Sequence, residues 1–171
     1  APHHSLAREG DDFLAVLSCA GPDAALMGHS YGAVCALEAA LVRPVRRLIL
    51  YEPPLHALLN PISDQLQILI DSQKPDAMVR FFLTKGVELP EQAVDALERS
   101  PAWAGLVALA STLPREVRAL EETIGSIDRY AAIDCPTLLV VGEHSSAGLK
   151  DSVERLSALL HNATTTVLRG Q

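Results

Sequence analysis

Met27-Gly28-His29-Ser30-Tyr31-Gly32-Ala33 is the stretch on which the reading of the whole chain turns. It is a G-x-S-x-G sequence. A short apolar run, Ala24-Ala25-Leu26-Met27, precedes it, and an Ala- and Leu-rich segment, Ala33 to Val42, follows. The run reads as a strand and the segment as a buried helix, so the motif stands at a strand–turn–helix junction. A strand that turns sharply into a helix holds the residue at the turn in a strained backbone conformation. Glycines two residues to either side, Gly28 and Gly32, leave room for strand and helix to approach closely. The turn lifts the Ser30 hydroxyl clear of the sheet edge. It also places the next N–H, that of Tyr31, at a helix N-terminus, where it can stabilise an oxyanion. In this context the motif signals a nucleophile elbow.

Outward from the motif, the pattern alternates. Residues 6 to 18 carry Leu6, Phe13, Leu14 and Leu17 on one helical face, with Asp11 and Asp12 opposite, and Gly21-Pro22 stops that helix. Arg47 to Tyr51 is a second short apolar run, ended by Pro53-Pro54, and reads as a buried parallel strand. From Leu55 to about Tyr130 the pattern is helical, divided by Pro75, Pro90, Pro101 and Pro114, several of them near a helix start. Thr137 to Val141 is the clearest strand, ending at Gly142. Leu149, Val153, Leu156 and Leu160 mark an amphipathic helix, and Thr164 to Leu168 reads as a final strand. Strand–helix alternation flanking a helical block predicts an α/β chain with a parallel sheet and a helical insertion.

Composition narrows the function classes. The 171 residues are 49% hydrophobic and 20% charged, enough apolar material for a packed core and no case for disorder. Fourteen Lys and Arg against 21 Asp and Glu give a net charge of −7. An acidic chain with three Phe, three Tyr and one Trp lacks the basic stripe and aromatic platforms of a nucleic-acid binder. No apolar run approaches the ~18 residues of a membrane helix. Cys19, Cys35 and Cys135 are scattered and odd in number, which argues for reduced thiols in a cytoplasmic compartment. No residues have metal-ligand spacing, so neither a metal nor an organic cofactor is expected.

With the elbow Met27 to Ala33, the segment Leu48-Ile49-Leu50-Tyr51-Glu52-Pro53-Pro54, and Pro136-Thr137-Leu138-Leu139-Val140-Val141-Gly142, the sequence resembles the α/β-hydrolase family. The order and spacing of the three look like strands five, six and seven of that fold. The resemblance implies hydrolase core in residues 1–54 and 131–171, with a helical cap, 55–130, inserted after strand six. It also implies that the early strands lie before Ala1, leaving an open sheet edge through which the isolated chain could associate with a second copy.

The family's implied chemistry is a Ser-acid-His triad in that chain order. Ser30 is the nucleophile. The acid is left open. Family members usually carry it two or three residues past a glycine like Gly142, where this chain has His144 and Ser145. Some relatives place it at the end of strand six, where Glu52 stands and is favoured; Glu143 is the alternative. The base lies after strand eight, and no histidine follows Leu168, so the resemblance places it beyond Gln171. Of the six histidines, His161 reads as a helix terminus and His144 as a loop residue bonding locally. His56 reads as a surface or lid residue, His29 as packing beside the serine, and His3 and His4 as linker. The second oxyanion donor is expected before Ala1.

The implied activity is hydrolysis of a small, apolar ester or related acyl substrate through an acyl-enzyme, with this chain alone inactive. Two other readings stand beside it. One is a non-catalytic binding protein that kept the elbow and lost the acid. The other is a non-hydrolytic member that cleaves C–C bonds or makes peracids, since a fold does not fix a function.

Overall fold

The first helix, α1 (Leu6–Ala20), begins where the Ser5 hydroxyl accepts the Arg8 N–H and ends at Gly21, whose φ of +92° suits a residue without Cβ. The computed structural model describes residues 4–21, 23–56 and 61–171. His3, Pro22 and residues 57–60 lie outside the described residues.

Strand β1 (Leu26–His29), helix α2 (Tyr31–Val42) and strand β2 (Leu48–Tyr51) follow. β1 starts two residues later than the apolar run suggests. The Ala24 N–H is turned back to the Gly21 carbonyl, and the ladder opens with Leu26 opposite Leu48. Among the described residues five α-helices come next: α3 (Ser63–Asp71), α4 (Pro75–Lys85), α5 (Glu91–Glu98), α6 (Trp103–Leu109) and α7 (Leu113–Ile124). Pro75 opens α4 and Pro90 is the N-cap of α5, positions where a missing N–H removes no helical bond. Strand β3 (Thr137–Gly142), helix α8 (Ala147–Leu159) and strand β4 (Ala163–Leu168) complete the order.

Among the described residues the sheet has four strands in the order β1-β2-β3-β4, and every pairing is parallel. The α/β expectation and the parallel sheet are borne out. Helix α2 packs on β1 and β2, and α8 on β3 and β4. Residues Ala33 to Ala40 of α2 are buried all round, which explains why that helix is almost uniformly apolar. Its Glu38 is the exception. β1 pairs only with β2 among the described residues, and Met27 is 59% exposed beside a groove of about 470 Å³.

The chain divides into two compact units, Ala1–Ala57 with Ala119–Gln171, and Leu58–Arg118. The first holds the sheet with α1, α2 and α8. The second has its own core of Leu66, Met78, Val79, Val94 and Trp103, and Arg80 of α4 is paired with Asp95 and Glu98 of α5. The helical block read over 55–130 is therefore shared out. Ala119, Ile127 and Tyr130 belong to the core under the sheet.

That core contains a buried polar group with a full set of partners. The Tyr130 hydroxyl donates to Glu38 Oε1 at 2.6 Å, and Arg129 donates to the same oxygen. Burial, with the anionic neighbour, pushes the Tyr130 phenol well above its ordinary pKa. Tyr130→Phe leaves a buried carboxylate short of one donor. It is expected to destabilise the protein by about 1.5–3 kcal/mol in chemical denaturation. A midpoint equal to wild type would show that the Arg129 contact alone satisfies Glu38.

Candidate active site

Ser30 has φ +53° and ψ −126°, a region that only a constrained turn imposes on a side-chain-bearing residue. The constraint is visible on both sides. Its N–H donates to the Tyr51 carbonyl of β2 at 2.8 Å, and its carbonyl accepts the Ala33 N–H at 2.9 Å as α2 begins. The Ser30 hydroxyl forms no capping bond to the helix it precedes. Tyr31 is the first residue of α2, so its N–H projects from the helix N-terminus beside Ser30.

The glycines differ. A Cβ on Gly28 would lie 2.2 Å from the Gly32 carbonyl oxygen and 2.6 Å from Ala33 Cα, so the close approach of β1 and α2 requires glycine there. A Cβ on Gly32 would meet nothing within 4 Å. The steric reason given for glycine on both sides of the serine therefore applies to Gly28 alone. The His29 ring lies against Tyr51, its register partner on β2, with centroids 4.7 Å apart.

Glu52 occupies the next strand's equivalent of the Ser30 position. His29 pairs with Tyr51, so the residues that follow them, Ser30 and Glu52, emerge side by side at the carboxyl edge of the sheet. Glu52 also has positive φ, +50°, and the two prolines after it restrict its backbone further. Its N–H donates to the Val140 carbonyl at 2.9 Å. Its carboxylate is held on one oxygen. Oε1 accepts the Gly142 N–H at 3.0 Å and the Ser145 hydroxyl.

Glu143 is directed elsewhere. Its Oε2 accepts the Gly170 N–H at 2.9 Å, beyond the end of β4 on the far side of β3. Of the two acid candidates, only Glu52 turns its carboxylate onto the β2–β3 strand ends next to Ser30.

Of the described histidines, His161 lies away from this edge, His4, His29 and His56 are engaged in contacts, and His144 lies at the edge but is exposed. His161 precedes β4 and so stands at the amino ends of the parallel strands, about a strand's length (~15–20 Å) from the carboxyl edge. His144 follows β3 and is exposed. His56, read as a lid residue, docks on α8: its Nδ1 is 3.2 Å from Ser152 Oγ, and its ring fills the space where a Cβ on Gly148 would lie. His4, read as linker, has Nε2 at 2.8 Å from the Tyr31 hydroxyl and Nδ1 at 3.3 Å from Glu9. Sequence reading missed that contact. Its one signal is the position of His4 immediately before the Ser5 helix cap. Among the described residues no histidine is hydrogen-bonded to Ser30 or Glu52. No described group of three His, Cys, Asp or Glu is placed to hold a metal, and no described helix is long and apolar enough to cross a membrane.

A strained serine at a strand–helix turn on a parallel sheet, with a carboxylate on the adjacent strand, is the arrangement of a known class of proteins. The model of the alpha/beta hydrolase family matches residues 1–170, and the chain belongs to that family. It is similar to an alpha/beta hydrolase from Sphaerobacter thermophilus at 30% identity and a TM-score of 0.88, over 100% of this chain and 69% of that one. It is similar in fold to a carboxylesterase structure of the Thaumarchaeon Nitrososphaera gargenis (14% identity, TM-score 0.69, 100% of this chain and 65% of that one). An enzyme degrading N-acyl homoserine lactones is a further likeness in fold (20% identity, TM-score 0.66, 97% and 67%). The chain thus spans about two thirds of the length of these proteins. Among curated proteins nothing matches it.

Proposed function

We propose that Ser30 and Glu52 are the nucleophile and acid of a serine hydrolase that cleaves small, apolar esters or lactones. The observation that carries the reading is the shared strain of two neighbouring strand ends. Ser30 at φ +53° and Glu52 at φ +50° present a hydroxyl and a carboxylate on adjacent strands. Strained residues persist where the surrounding structure over-determines them, and such clusters mark active sites.

In this reading the Ser30 oxygen attacks the substrate carbonyl carbon and loses its proton to a histidine imidazole. The histidine and a second oxyanion donor come from residues other than the described ones. The Tyr31 N–H holds the oxyanion, aided by the helix dipole of α2. Collapse of the tetrahedral adduct expels the alkoxide, which takes the proton from the imidazolium. Water, deprotonated by the same imidazole, then attacks the acyl-Ser30 ester; the acid leaves and Ser30 takes the proton back from the imidazolium. Glu52 accepts the other imidazole N–H and stabilises the cation. The substrate class is supported by the esterase and lactone-degrading enzymes of like fold. The same geometry argues against a binding protein that has lost its acid, because a glutamate follows the strand adjacent to the serine's.

The test is covalent labelling of the intact protein with a fluorophosphonate, followed by peptide mapping. The expected adduct sits on Ser30, and saturating p-nitrophenyl butyrate present during the labelling slows its formation. A folded protein that hydrolyses no acyl ester and takes no label at Ser30 would overturn the proposal.

A further inference from the structure

Ser145 lies in the turn between β3 and α8, and its hydroxyl is seated by its surroundings. Its N–H donates to the Gly142 carbonyl at 3.3 Å, and the next residue, Ser146, caps α8 by accepting the Leu149 N–H. Both ends of the turn are therefore tied down. The hydroxyl rests against the bare Cα of Gly142, where a Cβ would come 2.6 Å from Ser145 Oγ. From that seat it donates to Glu52 Oε1, the same oxygen that accepts the Gly142 N–H.

We propose that Ser145 is a positioning residue for Glu52, a role that rests on reading Glu52 as the triad acid. Two donors on one carboxylate oxygen fix the rotation about the last bond of the side chain. Turning the carboxylate away loses both bonds at once, each strengthened by the negative charge. Oε2 is then the oxygen left to accept the imidazole N–H, in one orientation. Catalysis depends on such orientation, because a misaimed acid no longer holds the imidazole in line with the nucleophile. Gly142 serves the device twice, through its N–H and through the absence of a side chain that would push Ser145 away.

The experiment measures p-nitrophenyl butyrate turnover, the rate of fluorophosphonate labelling at Ser30, and thermal unfolding of the intact protein. The variants are Ser145→Ala, Ser145→Thr, Glu52→Gln and the double variant Glu52→Gln/Ser145→Ala. Loss of one hydrogen bond to a carboxylate predicts that Ser145→Ala lowers kcat and labelling rate about 10- to 100-fold, with KM and melting temperature close to wild type. Ser145→Thr, which keeps the hydroxyl, restores most of the rate. In the Glu52→Gln background Ser145→Ala adds little, because a residue acting through Glu52 has nothing left to position. Wild-type kcat in Ser145→Ala beside a collapsed Glu52→Gln would overturn the role of Ser145 and leave the acid assignment standing. So would equal losses in the alanine and threonine variants, or losses that multiply in the double variant. Wild-type kcat in Glu52→Gln is a different result and removes the acid itself.

Discussion

Ser30→Ala in the intact protein is expected to lower kcat toward p-nitrophenyl butyrate by about a million-fold while KM changes little. The size follows from what the residue does. An alanine leaves the Tyr31 N–H at the start of α2 in place, so part of the oxyanion stabilisation survives. It removes the covalent step, and triad members act as a unit, so the loss of one approaches the loss of all. The fold is expected to persist. The Ser30 hydroxyl caps nothing, and the turn is held by the backbone bonds to Tyr51 and Ala33, which alanine retains. Alanine does accept φ +53° less readily than glycine would, so Ser30→Gly is the companion variant. It relieves the strain and is expected to be at least as stable as alanine yet equally inactive. The 171-residue chain by itself is expected to show little turnover, since no described histidine reaches Ser30 or Glu52. Brisk turnover by that chain, dependent on Ser30, would return attention to His144. Turnover by Ser30→Ala within tenfold of wild type would move the nucleophile elsewhere.

What the sequence disclosed and what it withheld divide along the range of the forces involved. The elbow was readable because its cause is local: a sterically tight strand-to-helix turn leaves its glycine at Gly28, two residues before the serine. The strands β2 and β3 were readable because both are short apolar runs closed by Pro53 or Gly142. The start of β1 was not, since it depends on where the ladder with Leu48 begins and on a turn bond from Ala24 to Gly21. Val117, Leu120, Ile124 and Ile127 announce an amphipathic segment, but periodicity does not say which core that face joins. Val117 joins the helical unit's core and Ile127 the core under the sheet.

The site follows the same division. Glu52 is legible as a strand-end carboxylate, but where its carboxylate and that of Glu143 turn is visible only in the structure. Glu143 is one residue from the strand-ending glycine, yet its carboxylate turns to Gly170. Ser145 was noticed only as a position where a carboxylate is missing. Its bond to Glu52 spans 93 residues of sequence, and no local pattern encodes it. His4 and Tyr31 are 27 residues apart and meet because α1 packs on α2. His56 meets α8 because Gly148 leaves space for a ring, a complementarity legible only when both partners are placed.

Gly28→Ala is expected to be the most damaging single-methyl change in the sheet-bearing unit. The added carbon would lie 2.2 Å from a carbonyl oxygen and 2.6 Å from Ala33 Cα and N, all backbone atoms that no rotamer change can move aside. Relief requires α2 to shift at its N-terminus. That helix is buried on every side from Ala33 to Ala40, so a shift propagates into the packing of Leu37 and of the Glu38–Tyr130 bond. Overpacking of this kind typically costs about 1–3 kcal/mol and more where backbone must move. The upper end applies here, and corresponds to a fall in melting temperature of roughly 6–12 °C for a domain of this size. The same shift carries the Tyr31 N–H and Ser30 out of alignment, so fluorophosphonate labelling is expected to slow even at temperatures where the variant is folded. Gly32→Ala is the control, because it adds the same methyl four residues away, where nothing lies within 4 Å. Inside a helix alanine is favoured over glycine by about 1 kcal/mol, so that variant is expected to melt at or slightly above wild type and to keep its labelling rate. Matching melting curves for the two alanine variants would show that the close approach of β1 and α2 is not what the first glycine provides, and the steric account of the elbow would fall with it.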